Sequence, residues 1–182
     1  MILQDVLYKR ISIVICFRVF LSAIIKVSVY TILENRSVIM QNLEYSVLMS
    51  VYYKEKPEYL SLSIQSMLEQ TVKPNEFVIV KDGPLTPELD SVIDSYVSSN
   101  PNLFKIISSE TNLGLGLSLA KGITEAKNEL IARMDSDDYV VNTRCEKQLK
   151  LFADDPDLCI VGSFEAEFVD EIDNVISVHK VP

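Results

Sequence analysis

From Tyr45 to Asp138 the chain alternates between two hydrophobic periods, and this alternation constrains its fold more than any single motif. Tyr45-Ser46-Val47-Leu48-Met49-Ser50-Val51-Tyr52 reads as a strand covered on both faces. Pro57 suits the first turn of a helix, and Leu60, Ile64, Met67 and Leu68 recur at helical spacing until Thr71 to Asn75 breaks the pattern. Phe77-Val78-Ile79-Val80 is a second strand, stopped by Lys81-Asp82-Gly83-Pro84. Thr86 is placed to cap a second helix, with Pro87 in its first position and Leu89, Val92, Ile93 and Tyr96 as its apolar stripe. Phe104-Lys105-Ile106-Ile107 is a third strand, the loop at Asn112 turns into a helix running to about Lys127, and Leu130-Ile131-Ala132-Arg133-Met134 is a fourth strand. This order predicts right-handed βαβ units in an α/β fold, with a mostly parallel sheet flanked by helices.

In such sheets the binding crevice lies outside the carboxyl ends of the strands, where Tyr52, Asp82 and Asp135-Ser136-Asp137-Asp138 fall. Carboxylates packed this densely repel one another unless a cation neutralises them, and hard divalent ions are the natural candidates. Asp135 and Asp137 point the same way along an extended tip and can share one ion or its water shell. Past the aspartates, Cys145, Gln148, Leu149 and Phe152 form a helix face, and Leu158 to Val161 a further strand. Phe164, Ala166 and Phe168 then alternate with Glu165, Glu167 and Asp170, and Asp173-Asn174 reads as a hairpin turn returning through Val175 to Val178.

Charge is unevenly spread: residues 1 to 40 carry net +3 and the remainder net −12, giving −9 for 182 residues. Beyond Met40 no Lys or Arg cluster offers a phosphate-binding surface, which excludes nucleic acid as a partner. Cys16, Cys145 and Cys159 are too few and too widely spaced for a disulfide framework or a zinc site. All three read as apolar filler in a reducing, cytoplasmic setting. Ile11 to Leu33 is apolar but interrupted by Arg18 and Lys26, so it is at best a marginal membrane span. Lys9-Arg10 gives it a basic start without a small-residue cleavage site. Three readings of residues 1–40 stay open: a peripheral anchor at the inner face of the cell membrane, a poor span, or an extension without a function of its own. The compact pattern occupies residues 41–182, and nothing in the fold can be assigned upstream of it.

Taken in order, Tyr45 to Tyr53, Val80-Lys81-Asp82-Gly83, Asn112-Leu113-Gly114-Leu115-Gly116 and Arg133-Met134-Asp135-Ser136-Asp137-Asp138 resemble the amino-terminal half of family 2 glycosyltransferases. The likeness is strongest to bacterial enzymes that build exopolysaccharide or O-antigen chains, and it covers residues 45 to about 178. It implies a glycosyltransferase A type domain that binds a nucleotide-diphosphate sugar, a UDP-sugar above all, and transfers the sugar with inversion to a saccharide or lipid-linked acceptor. Under that resemblance Val51, Tyr52, Tyr53 and Glu55 border the nucleoside, and Asp82 accepts a hydrogen bond from the base. Asn112 and Gly114 form the loop that lets backbone approach the donor. Asp135 borders the ribose or the metal's water shell, and Asp137 binds Mn²⁺ or Mg²⁺ directly. Such an ion neutralises the charge growing on the departing nucleoside diphosphate. Asp138 is either a partner behind these two or the start of the next turn, and strand alternation leaves the direction of Arg133 open.

The chain also departs from the family. Ala120 stands where relatives often place Asn, and members continue past Pro182 into a portion that usually carries the acceptor-activating carboxylate. The expected fold is therefore incomplete at its carboxyl end, with the catalytic base unassigned. Glu165, Glu167 and Asp170 are explained by an exposed strand face, and His179 by its place near the terminus. A non-catalytic module that binds a nucleotide or a partner is the competing reading. A Rossmann dinucleotide enzyme fits poorly, because Gly114 and Gly116 follow the third strand rather than the first.

Overall fold

A computed structural model describes residues 8–10, 16–18, 43–169 and 175–179. In chain order these form β1 (Tyr8–Arg10), β2 (Cys16–Arg18), β3 (Tyr45–Val51), α1 (Pro57–Leu68), β4 (Glu76–Lys81), α2 (Pro87–Ser99) and β5 (Phe104–Ser108). They continue with α3 (Leu115–Glu125), β6 (Leu130–Asp135), α4 (Arg144–Asp154), β7 (Ile160–Val161), β8 (Glu165–Val169) and β9 (Val175–His179). The main sheet has the order β5-β4-β3-β6-β2-β7, and β1-β8-β9 form a separate three-stranded antiparallel sheet. Strands β3, β4, β5 and β6 are mutually parallel, joined through α1, α2 and α3.

The expected alternation is present because both faces of the central strands are covered. On one face Val47, Met49, Val51, Phe77, Ile79, Ala132 and Met134 meet Leu60, Ile64 and Met67 of α1, Leu89 and Ile93 of α2, and Cys145, Leu149 and Phe152 of α4. Leu48, Val78, Val80 and Ile131 face the other way, under Leu119 and Ile123 of α3. Each aliphatic side chain fully buried in this way contributes about 1.5–3 kcal/mol. At the head of α2 the Thr86 hydroxyl accepts from the Leu89 amide at 3.4 Å, with Pro87 in the first position.

Two short segments upstream of Met40 join these sheets, where the sequence reading assigned that region nothing in the fold. Strand β2 runs antiparallel between β6 and β7, pairing Cys16 with both Ala132 and Val161. Strand β1 pairs with β8, Tyr8 opposite Val169. The strand expected over Leu158 to Val161 contracts to Ile160–Val161. The turn expected at Asp173-Asn174 lies outside the described residues. Among the described residues no helix is long and apolar enough to cross a membrane.

Candidate functional site

Register brings the strand tips together: Ser50 of β3 lies opposite both Val80 of β4 and Asp135 of β6. Beyond those tips opens a cleft of about 550 Å³, lined by Tyr52, Glu55, Asp82, Asn112, Gly114, Asp135 and Asp137 among others. Residues drawn from four loops of the sequence therefore border one space, as the crevice rule for parallel sheets expects.

Asp82 follows β4, and its amide donates to the Val51 carbonyl at 2.8 Å, tying two tips together. Its carboxylate is only 3% exposed and accepts from the amides of Leu113 (2.6 Å) and Gly114 (3.0 Å). The glycine loop is thus pinned to β4, and the four lone-pair positions of a carboxylate leave Asp82 able to accept more. Gly83, at φ +86°, lets the chain turn back beneath this loop, since a Cβ there would come within 2.8 Å of the Asn112 nitrogen. Gly114, at φ +85°, starts α3 in a conformation that costs an L-residue strain.

The acidic tip separates its three carboxylates instead of pooling them. Arg133, two residues back on the same strand, donates to both oxygens of Asp135 at 2.6 and 2.9 Å. The neutralising cation expected for the tip is thus, at Asp135, a guanidinium, and the direction of Arg133 that strand alternation left open is toward that carboxylate. Asp138 is 3% exposed and turned inward, its amide donating to the Asp135 carbonyl. Asp137 alone of the three is exposed, and it makes no ion pair or hydrogen bond among the described residues. Those residues contain no group of three or more His, Cys, Asp or Glu arranged to hold a metal ion. An ion at this tip would rest on Asp137 and complete its shell with water or with oxygens of the bound molecule, a donor set that suits Mg²⁺ or Mn²⁺.

Glu55 faces the cleft but is committed, accepting from the Ser136 hydroxyl at 2.6 Å and from the Lys56 amide at 2.8 Å. It therefore links the loop after β3 to the acidic tip, while Ser63 of α1 donates to the Asp135 carbonyl at 2.7 Å. The Val51 side chain is fully buried in the core and Val51 does not line the cleft, against the expectation that it borders the nucleoside; its carbonyl instead takes the Asp82 amide. Tyr53 stands outside the cleft lining, edge-on to Tyr52 with Lys54 over its ring. Lys54, Lys56 and Tyr59 line the cleft without having been singled out in the sequence. Two lysines flanking a glutamate in the first loop were the available signal. Among the cysteines, Cys145 is buried as expected, but Cys159 is exposed and is not apolar filler.

The profile described as Glycosyl transferase family 2 matches residues 46–178. The UDP-Gal:alpha-D-GlcNAc-diphosphoundecaprenol beta-1,3-galactosyltransferase of Escherichia coli is 39% identical over 125 residues, covering 69% of this chain and 45% of that protein. The amylovoran biosynthesis glycosyltransferase AmsE of Erwinia amylovora is 37% identical over 124 residues, covering 68% and 46% respectively. The chain spans about half the length of the curated relatives it matches. Among solved structures, the mannosyltransferase PcManGT of Pyrobaculum calidifontis, in complex with GDP-Man and Mn²⁺, aligns with a TM-score of 0.55 at 19% identity, over 64% of this chain and 34% of that one. S. aureus TarS 1-349 in complex with UDP-GlcNAc aligns with a TM-score of 0.51 at 27% identity, over 61% and 31%. The architecture is the glycosyltransferase A type. With the strand order, the cleft and the profile match in agreement, the chain belongs to glycosyl transferase family 2.

Proposed function

We propose that this chain is the donor-binding part of an inverting, metal-dependent glycosyltransferase of surface polysaccharide biosynthesis, taking a UDP-sugar and serving a saccharide or lipid-linked acceptor. The observation that carries the reading is the cleft itself, where Tyr52, Asp82, Asn112, Gly114, Asp135 and Asp137 border one space at the strand tips. Names of relatives support it: one acts with UDP-Gal on a diphosphoundecaprenol-linked sugar, and another serves amylovoran biosynthesis. In this reading Tyr52 borders the nucleoside and Asp82 offers its remaining lone pairs to the base. Asp135 takes hydroxyl groups of the donor, and Asp137 holds the divalent ion. Lys54 and Lys56 add positive charge to the lining where a diphosphate would sit. When bound, Mn²⁺ or Mg²⁺ supplies Lewis-acid stabilisation of the leaving diphosphate.

Calorimetric titration of UDP with MnCl₂ tests this. Asp137→Ala should weaken metal-dependent binding by at least about tenfold, equivalent to ~1.4 kcal/mol. Unchanged affinity in that variant would sink the assignment. A second reading, a nucleotide-binding module without turnover, rests on a specific observation: Glu55, Asp82 and Asp135 are all committed to partners within the protein. With Asp137 given to the ion, every other carboxylate of the described lining already accepts hydrogen bonds from the protein, which makes each a poor base for the acceptor's proton. Binding of UDP-sugar without any sugar release would favour that module.

A further inference from the structure

Arg133 is an awkward residue to keep for stability alone. Its partner Asp135 stands two positions away on the same strand, so the pair cross-links nothing distant in the fold. Both side chains are partly exposed, at 22% and 29%, which weakens the pair by solvent screening. Meanwhile the Arg133 Nε is buried with no hydrogen-bond partner among the described residues, a cost that the pair itself does not relieve. The contact does hold the one group of the pair that faces the cleft: a single guanidinium nitrogen, Nη2, bridges both oxygens of the Asp135 carboxylate.

We infer that Arg133 is a positioning residue for the donor, holding Asp135 as an oriented acceptor for hydroxyl groups of the bound nucleoside diphosphate instead of as a ligand to a cation. With its charge already matched by Arg133, the Asp135 carboxylate, which lines the cleft, presents acceptor oxygens that suit neutral O–H donors. This inference rests on the donor-binding reading and adds a residue to it that does not line the cleft.

The test is calorimetric titration of UDP, in the presence of MnCl₂, into the 182-residue chain and into Arg133→Met, Arg133→Lys, Asp135→Asn and the Arg133→Met/Asp135→Asn double variant, each also melted thermally. Arg133→Met should raise the Kd for UDP about tenfold while leaving the melting temperature unchanged. Arg133→Lys should lie between, because lysine restores the charge on a shorter, more flexible stem without the fixed plane of the guanidinium. Asp135→Asn should weaken binding, and the double variant should bind no worse than Asp135→Asn alone, since Arg133 acts only through that carboxylate. Wild-type affinity in Arg133→Met, an unaffected Asp135→Asn, or additive losses in the double variant would each overturn the inference while leaving the donor reading in place. A melting temperature that falls in step with affinity across both Arg133 variants would make the residue structural. If the wild-type chain binds no UDP, the donor reading fails and this inference with it.

Discussion

Burial decides what the two cysteines with described side chains can do. Burial pushes the Cys145 thiol up from its ordinary value, outweighing the nearby Arg144 charge that would lower it. Native protein at pH 8 should therefore be alkylated at Cys159 and spared at Cys145 until it unfolds, as read by mass spectrometry of the labelled peptides. Because the folded state disfavours the Cys145 thiolate, its contribution to stability is full below the ordinary thiol value of about 8.5 and declines as pH rises towards the raised folded value. At the site, residue type plus strand-end position made Tyr52, Asp82, Asp135 and Asp137 legible, the family resemblance added Glu55, Asn112 and Gly114, and all seven border the cleft. Partnerships were not legible. Nothing local ties Ser136 to Glu55, which lies 81 residues earlier, and strand alternation could not say that Arg133 would turn onto Asp135.

Helix α3 shows how closely an element can be fitted. Gly122 faces the sheet, and a Cβ there would overlap the side chains of Leu48 and Val80. Gly122→Val should cost about 1–3 kcal/mol in denaturant unfolding through overpacking, whereas the same change at Gly116, where a Cβ meets open space, should act through helix propensity alone. The periods that identify α1, α2, α3 and the parallel strands were plain in the sequence because each element buries a face several residues long. Boundaries were less plain: α3 ends at Glu125, before the expected Lys127, and β6 runs one residue further, to Asp135. The β6 end is set by a neighbour, since its final pairing is with Ser50 across the sheet.

At the scale of the molecule, the first forty residues contribute what their composition hid. Cys16-Phe17-Arg18 carries no alternation to mark a strand, and its place between β6 and β7 is a tertiary choice. A chain starting at Gln41 should melt at a lower temperature and self-associate more in light scattering, because β6 would then present an unpaired edge. Return, finally, to the tips of β3, β4 and β6, which sit side by side although Ser50 and Asp135 are 85 positions apart in the chain. A molecule seated there would brace all three strands at once, so nucleotide should slow amide hydrogen exchange throughout the parallel strands together, and heat should release the ligand and unravel the sheet as one event.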